Sequence, residues 1–221
     1  MPLSQLDQWL QNAGYEYHCF VSYPRITTPD GAIDDEHPIN YCAKQVRDAL
    51  VRQLGFSVPA PRVFLDVEMR GGVNWEVRVQ QALCRSVMMV AICAGIYYHA
   101  SHRWCGLEWA AMDALGRKRL RDSDLLAIFP MMLKKERSLP AAVEIPQRAD
   151  VSGAAASRRY YRTKAFYRNI EDVVTHLEHV AEAIQARNEG CGCGQFVFPQ
   201  TSAFADWQAQ GQDFPLTGAG R

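Results

Sequence analysis

Continuous apolar runs alternate along this chain with longer segments in which apolar residues recur every three or four positions. The runs cover residues 17–23, 62–67, 87–93 and 124–133, and residues 148–151 are a candidate for a short fifth strand. Uninterrupted apolar runs of this length are typical of strands buried on both faces of a parallel sheet. The pattern therefore predicts five buried strands.

The segments between the strands have the periodicity of amphipathic helices. This periodicity predicts helices over residues 4–12, 39–54, Trp75–Cys84, 101–115 and 163–187. Alternation of strands and helices indicates an α/β fold with helices on both faces of the sheet. Ligands in such folds bind beyond the carboxyl ends of the strands, so residues just after the strands are the candidates for chemistry.

Length and charge limit the classes of function. The 221 residues suit one α/β domain with appendages, and we predict an N-terminal helix over 1–14, a domain over 15–188 and an irregular tail over 189–221. Lys plus Arg and Asp plus Glu number 24 each, so no nucleic-acid partner is expected. The basic cluster at 117–121 is interpreted as a solvated loop. No membrane is expected either, because no apolar run approaches the roughly 20 residues of a membrane span.

The cysteines and the first residues suggest where the chain works. Residues 1–14 lack the basic and apolar regions of a signal peptide. Seven Cys is an odd count, and Cys19, Cys84 and Cys93 stand in apolar runs, where Cys behaves as a small hydrophobe. We therefore expect a reducing cytoplasm rather than a disulfide framework.

A single carboxylate stands out in the segment after the third strand. Glu108 is the one charged residue between Trp104 and Met112, and Trp104 lies four residues before it. A helix places residues with this spacing on one face. An acid beside an indole at the mouth of a buried sheet suits an acid, base or cation stabiliser in a shielded pocket. The plainer interpretations are a surface Glu108 paired with Arg103 and a Trp104 that packs in the core.

Further polar residues follow the first two strands. Ser22 and Tyr23 end the first strand, and Asp66 and Glu68 end the second. Because the carboxyl ends of parallel strands meet at one edge of a sheet, we expect these residues near Glu108. Ser22 and Tyr23 are predicted to line the site rather than react, since no His stands at nucleophile–base spacing. Asp66 and Glu68 could instead brace the strand end.

Three segments follow the first three strands: FVSYPR after the first strand, FLDVEMRGGVNW between the second strand and the next helix, and SHRWCGLEWA after the third strand. In order and spacing they resemble the three sequence boxes of TIR (Toll/interleukin-1 receptor) domains. The resemblance covers about residues 16–187, and WCxxE is its most specific element. It implies a flavodoxin-like three-layer α/β fold with a five-stranded parallel sheet.

The resemblance also implies an activity. Many TIR domains, including bacterial ones, cleave NAD+ at the nicotinamide–ribose bond and release nicotinamide with ADP-ribose or a cyclic isomer that acts as an immune signal. The catalytic glutamate of the family falls on Glu108 and its tryptophan on Trp104. Trp75 would be the aromatic that stacks on the substrate, although packing at a helix start is the alternative. Residues 68–74 would form the gating loop.

The chemistry of NAD+ suits these residues. Loss of nicotinamide builds positive charge on the ribose, and a nearby carboxylate stabilises that charge. Arg25 is the candidate donor to the diphosphate, with a solvated Arg25 as the alternative. The chain has no GxGxxG motif, so NAD+ is expected as substrate and not as cofactor. His176, His179, Cys191 and Cys193 could bind a metal in principle, but Cys-x-Cys is an unusual ligand spacing and no metal is expected.

From the resemblance we expect a cytoplasmic NAD+ glycohydrolase or cyclase in bacterial antiphage immune signalling. It also implies a homo-oligomer formed through TIR–TIR contacts, with a regulatory protein partner. The alternative is a non-catalytic TIR adaptor or virulence decoy that works through the same contacts. A phosphoacceptor regulator built on Asp66 is disfavoured, because such regulators need an acidic pair after the first strand and FVSYPR has none.

Overall fold

The structure is a computed structural model that describes residues 3–66, 74–134, 140, 143 and 148–209. The strands are β1 (Tyr17–Ser22), β2 (Val63–Phe64), β3 (Ser86–Cys93), β4 (Ile128–Met132) and β5 (Ala149–Asp150). The helices are α1 (Leu3–Asn12), α2 (Pro38–Leu54), α3 (Trp75–Cys84), α4 (Arg103–Arg119), α5 (Gly153–Ala156), α6 (Lys164–Ala186) and α7 (Ala205–Ala209).

The five strands form one parallel sheet in the order β2-β1-β3-β4-β5. This is the strand order of flavodoxin-like folds, so the predicted fold class is confirmed. All eight residues of the central strand β3 are buried, as the apolar run at this position predicted. The order reverses next to β1, which places the carboxyl ends of β1 and β3 beside each other.

Helices cover both faces of the sheet. One face is covered by α2 and α6, with α1 packed on α6, and the other by α3 and α4, which contact each other. The second pair matters for function, because α3 begins and α4 passes at the carboxyl edge of the strands. None of the helices in the described part of the chain has the length and apolar character that a membrane crossing requires.

The strands away from β3 are shorter than the apolar runs predicted. Leu125 and Leu126 were predicted in the strand but precede β4. The Leu125 amide donates to the Ser123 hydroxyl, and the Leu126 carbonyl accepts from the His176 imidazole. Pro130 lies inside β4, where we predicted an edge or a bend. Within the described residues β5 pairs only with Met131 and Met132, so β4 has no neighbour on that side at Pro130 and a missing N–H is tolerated there.

Arg119 corrects the interpretation of residues 117–121 as a solvated loop. The helix α4 continues to Arg119, whose side chain is 1% exposed. Its guanidinium donates to the Ser86 carbonyl at 2.9 Å, to the Cys191 carbonyl at 2.7 Å and to the Cys84 carbonyl. The group lies 5.0 Å from the centre of the Tyr15 ring. One buried cation therefore joins the end of α3, the start of β3 and the C-terminal segment.

A disulfide between Cys84 and Cys193 corrects the expectation that the chain forms no disulfide, so the cysteines no longer indicate a reducing compartment. The two Cα atoms are 5.7 Å apart across a sequence separation of 109 residues. Cys84 was interpreted as a small hydrophobe because it stands in an apolar run, and no local pattern points to a partner so distant in sequence. The bond ties the C-terminal segment to the end of α3. The other five cysteines are free, and four of them are buried.

We expect Arg119→Met to lower the free energy of unfolding by about 2–4 kcal/mol, because it leaves two buried carbonyl oxygens and one partly buried carbonyl oxygen without their donor. Urea unfolding at neutral pH measures the loss. The matched control is Arg117→Met, whose side chain is 80% exposed, and it should change stability by less than about 0.5 kcal/mol. Equal effects of the two changes would contradict the structural role of Arg119.

Candidate active site

Glu108 is buried at the carboxyl edge of the sheet. Its side chain lies in the first half of α4, and the residue is 7% exposed. The Ser22 hydroxyl at the end of β1 donates to Glu108 Oε2 at 2.5 Å. Ser22 Oγ is also 2.7 Å from the Tyr97 hydroxyl, in the short 3-10 helix Gly95–Tyr98 that follows β3. Burial and this contact exclude the alternative of a surface Glu108 paired with Arg103, which instead donates to the Gln200 carbonyl.

Burial raises the pKa of Glu108 to about 8. The hydrogen bond from Ser22 lowers the pKa, the Asp66 carboxylate raises it and the Arg25 guanidinium lowers it again. Desolvation is the largest effect, because a buried carboxylate loses its hydration. The carboxyl group is therefore poised to change charge near neutral pH, as is common for groups at functional sites.

Arg25 and Asp66 form an ion pair beside Glu108. Arg25 Nη2 lies 2.9 Å from Asp66 Oδ2, with the side chains 28% and 13% exposed. The same guanidinium lies 5.0 Å from the centre of the Trp75 ring, in a cation–π contact. Burial and the Asp66 carboxylate both raise the pKa of Tyr23 far above its usual value, so its hydroxyl stays protonated. The ion pair and the ring contact therefore hold the Arg25 side chain in place, which excludes the alternative interpretation of a solvated Arg25.

Two indoles form one wall of the site. Trp75 opens α3 immediately after its N-cap, Asn74, whose side chain accepts from the Val77 amide. The Trp75 and Trp104 rings meet edge to face with centroids 4.8 Å apart, and both residues are partly exposed. Contact between the helices α3 and α4 brings them together. They present apolar surface next to the Arg25–Asp66 pair.

The C-terminal segment packs against this wall, a contact that the predicted irregular tail did not include. The Phe198 ring lies 5.8 Å from the Trp104 ring, and the Ala203 amide donates to the Gly106 carbonyl at 3.0 Å. A Cβ at Gly106 would stand 2.8 Å from the Ser202 Cβ, so only glycine allows this approach. The phenylalanines in a tail otherwise rich in Gly, Gln, Pro and Thr were the one sequence feature that could have indicated this packing.

The predicted site residues have different outcomes. The structure brings together Ser22, Tyr23, Arg25, Asp66, Trp75, Trp104 and Glu108 at one edge of the sheet. Glu68 and residues 68–73 of the proposed gating loop lie outside the described residues. Tyr97, which was not among the predicted site residues, joins the site through Ser22.

Two of the four residues considered as metal ligands, His176 and Cys193, have other partners. The His176 imidazole lies 2.7 Å from the Leu126 carbonyl oxygen and packs on Phe129, while Cys193 is bonded to Cys84. In the described part of the chain no three His, Cys, Asp or Glu residues are grouped as a metal site would need.

Comparison with known proteins identifies no relative of this chain, so the function is inferred from the geometry of the site. The models of known protein families give no match to this chain, and no curated protein matches it at a significant level. The likeness to TIR domains therefore rests on the three sequence segments.

We expect Glu108→Gln to stabilise the protein increasingly as pH rises. Because the pKa of Glu108 is raised from 4.5 to about 8 in the folded chain, the unfolded chain ionises first. The stability that the protonated carboxyl group contributes is therefore complete below pH 4.5 and lost as pH rises towards 8. Relative to the variant, the wild type should lose up to about 5 kcal/mol across that range.

Urea unfolding of both proteins between pH 4.5 and pH 9 measures the difference. Glu171→Gln, an exposed residue on α6, is the control and should give a curve parallel to the wild type. Parallel curves for Glu108→Gln and the wild type would show that the carboxyl group has an ordinary pKa.

Proposed function

We propose that this chain cleaves NAD+ at the nicotinamide–ribose bond, as a TIR-type NAD+ glycohydrolase or cyclase. The observation that carries the proposal is the buried carboxyl group of Glu108, held by Ser22 at the carboxyl edge of the sheet. Lone buried carboxyl groups with raised pKa values are characteristic of catalytic sites. The flavodoxin-like strand order supports the proposal, because ligands in such folds bind at this edge.

The reaction needs a stabilised cation more than it needs an acid. When the C–N bond breaks, its electron pair leaves with nicotinamide, and the anomeric carbon of the ribose becomes electron-poor. Water then adds to that carbon and loses a proton to give ADP-ribose, or an adenine nitrogen adds to give a cyclic isomer. Ionised Glu108 faces the developing charge in a site of low dielectric, where electrostatic stabilisation is strongest.

The charge state of Glu108 links substrate binding to proton release. In the free protein the carboxyl group is mostly protonated at neutral pH, because its pKa is about 8. A cationic nicotinamide ring brought near it favours the carboxylate. Binding of NAD+ is therefore expected to release a proton, and turnover to increase with pH towards 8.

The surrounding residues are suited to the rest of the substrate. Trp75 and Trp104 offer apolar surface on which a ring of the substrate can stack and from which water is excluded. Arg25 is the donor for the diphosphate, and it would exchange its ion pair with Asp66 for one with the phosphates. The balance between hydrolysis and cyclisation depends on whether water reaches the ribose once the substrate is bound.

The biological setting follows from the resemblance to TIR domains. We infer action in the cytoplasm, in bacterial antiphage signalling, with self-association through TIR–TIR contacts and control by a protein partner. A non-catalytic adaptor or decoy with the same contacts is the competing function, and the first experiment below separates the two.

The purified, concentrated protein is expected to consume NAD+ and release nicotinamide. Glu108→Ala and Glu108→Gln should reduce turnover at least about 100-fold, since the cation loses its stabilising charge. The exposed control Glu171→Ala should retain wild-type turnover. Mass analysis of the products distinguishes ADP-ribose from a cyclic isomer. Equal turnover in Glu108→Ala and wild type would refute the mechanism, and no NAD+ loss in any wild-type preparation would favour the adaptor.

Arg25→Met and Asp66→Asn should move the acid limb of kcat/KM in opposite directions. Arg25 lowers the pKa of Glu108, so its removal shifts the limb to higher pH, whereas removal of the Asp66 charge shifts it to lower pH. Arg25→Met should also raise KM for NAD+ about tenfold or more, because it removes a charged donor to the diphosphate. Arg78→Met, exposed on α3, is the control. A shift of both variants in the same direction would contradict this assignment.

A further inference from the structure

A buried tyrosine completes a chain of hydroxyl groups behind Glu108. Tyr97 is 0% exposed, and its hydroxyl lies 2.7 Å from Ser22 Oγ, which in turn lies 2.5 Å from Glu108 Oε2. Neither the family motifs nor the spacing of residues in the sequence pointed to Tyr97.

The direction of the chain is determined in the ionised state of Glu108, which is the state that the reaction uses. An ionised carboxylate only accepts, so in that state the single proton of Ser22 points towards Glu108. Ser22 Oγ can then only accept from Tyr97, whose proton has no other acceptor among the described residues. Burial raises the pKa of Tyr97 far above its usual value, so that proton stays on the tyrosine. Hydrogen bonds arranged in one direction polarise and strengthen one another.

Packing holds the Tyr97 ring in place. Its centroid lies 5.6 Å from Tyr98, 6.3 Å from Trp109 and 6.0 Å from Phe204 of the C-terminal segment. These contacts come from the same short helix, from α4 and from the tail, and together with complete burial they restrict the movement of the ring. Packing therefore keeps the Tyr97 hydroxyl close to Ser22.

The other ionisable groups around Glu108 come from three sides. Asp66 after β2 and Arg25 after β1 act on it in opposite directions. Tyr23 after β1 and Cys105 on α4 also face it, and burial raises the pKa of each well above its usual value, so both remain neutral. Within the described residues, the hydroxyl groups of Ser22 and Tyr97 are thus the uncharged groups that stabilise the ionised form of Glu108.

We propose that Tyr97 is a positioning residue for Glu108: it donates to Ser22, obliges Ser22 to donate to the carboxylate, and so favours the charged form that the reaction uses. The role of Tyr97 in catalysis rests on the proposed cleavage of NAD+. Its action on the charge of Glu108 does not, and it is measured separately.

The first test titrates Glu108 directly, by heteronuclear NMR of protein containing isotope-labelled glutamate, with Glu108→Gln identifying the resonance. Tyr97→Phe should raise the pKa of Glu108 by about 0.5–1 unit, since one hydrogen bond no longer favours the carboxylate. The matched control is Tyr98→Phe, equally buried in the same short helix, with its hydroxyl beside Cys93; it should leave the titration unchanged. An unchanged titration in Tyr97→Phe would overturn the proposal.

Two further variants separate positioning from packing. Ser22→Ala should shift the pKa of Glu108 upwards by more than Tyr97→Phe does, and the double variant should match Ser22→Ala, because Tyr97 acts through Ser22. Additive shifts would overturn the proposal. If Tyr97→Phe fails to fold, a ring-fluorinated tyrosine at position 97 keeps the shape and strengthens the donor, so it should shift the titration downwards. No shift, or an upward one, would overturn the proposal.

The catalytic part is tested on NAD+ turnover as a function of pH. The acid limb of kcat/KM in Tyr97→Phe should move up with the titration, so the loss is about threefold to tenfold at pH 7 and largely recovers at pH 9. A loss that is equal at all pH values would indicate a packing defect and overturn the catalytic role. If the wild type cleaves no NAD+, the proposed function fails while the NMR titration still decides whether Tyr97 controls the charge of Glu108.

Discussion

Parallel pairing of β1 with β3 is the constraint on which the site depends. The register places Ser22 opposite Ala91, so β3 ends two residues beyond the end of β1 and leads directly into the short helix that carries Tyr97. A slip of one residue would turn Ser22 to the other face of the sheet and break its contacts with Tyr97 and Glu108. The geometry of the candidate site is therefore a property of the sheet as much as of the residues in it.

Burial and the neighbouring groups have opposing effects on the charge of Glu108. Burial opposes a charged Glu108, while Ser22 and Arg25 favour it and Asp66 opposes it again. The result is a carboxyl group that is close to the point of ionisation and responds to a cation brought beside it. A fully solvated glutamate would be charged without need of substrate, but it would interact weakly with a developing cation.

The C-terminal segment belongs to the same core as the site. The Cys84–Cys193 bond and the Arg119 guanidinium hold the segment where it leaves α6, and Phe198 and Phe204 then pack against the aromatic residues of the site. Its removal would expose apolar surface on α4 and leave the Trp104 wall without support. The predicted division between a domain and an irregular tail therefore understates how much the tail contributes to the structure.

The sequence by itself was sufficient for the α/β class and the bounds of α3, because apolar periodicity is a local signal. It also indicated Glu108 as a candidate, because a lone carboxylate in an uncharged segment is visible without the fold. The tertiary structure alone decided that Arg119 is buried and that Cys84 is bonded to Cys193. It also decided that Tyr97 reaches Glu108 through Ser22, across separations of 75 and 86 residues. Contacts of this kind depend on strand register and on how the tail returns across the helices, and a local pattern of apolar and polar residues carries no information about either.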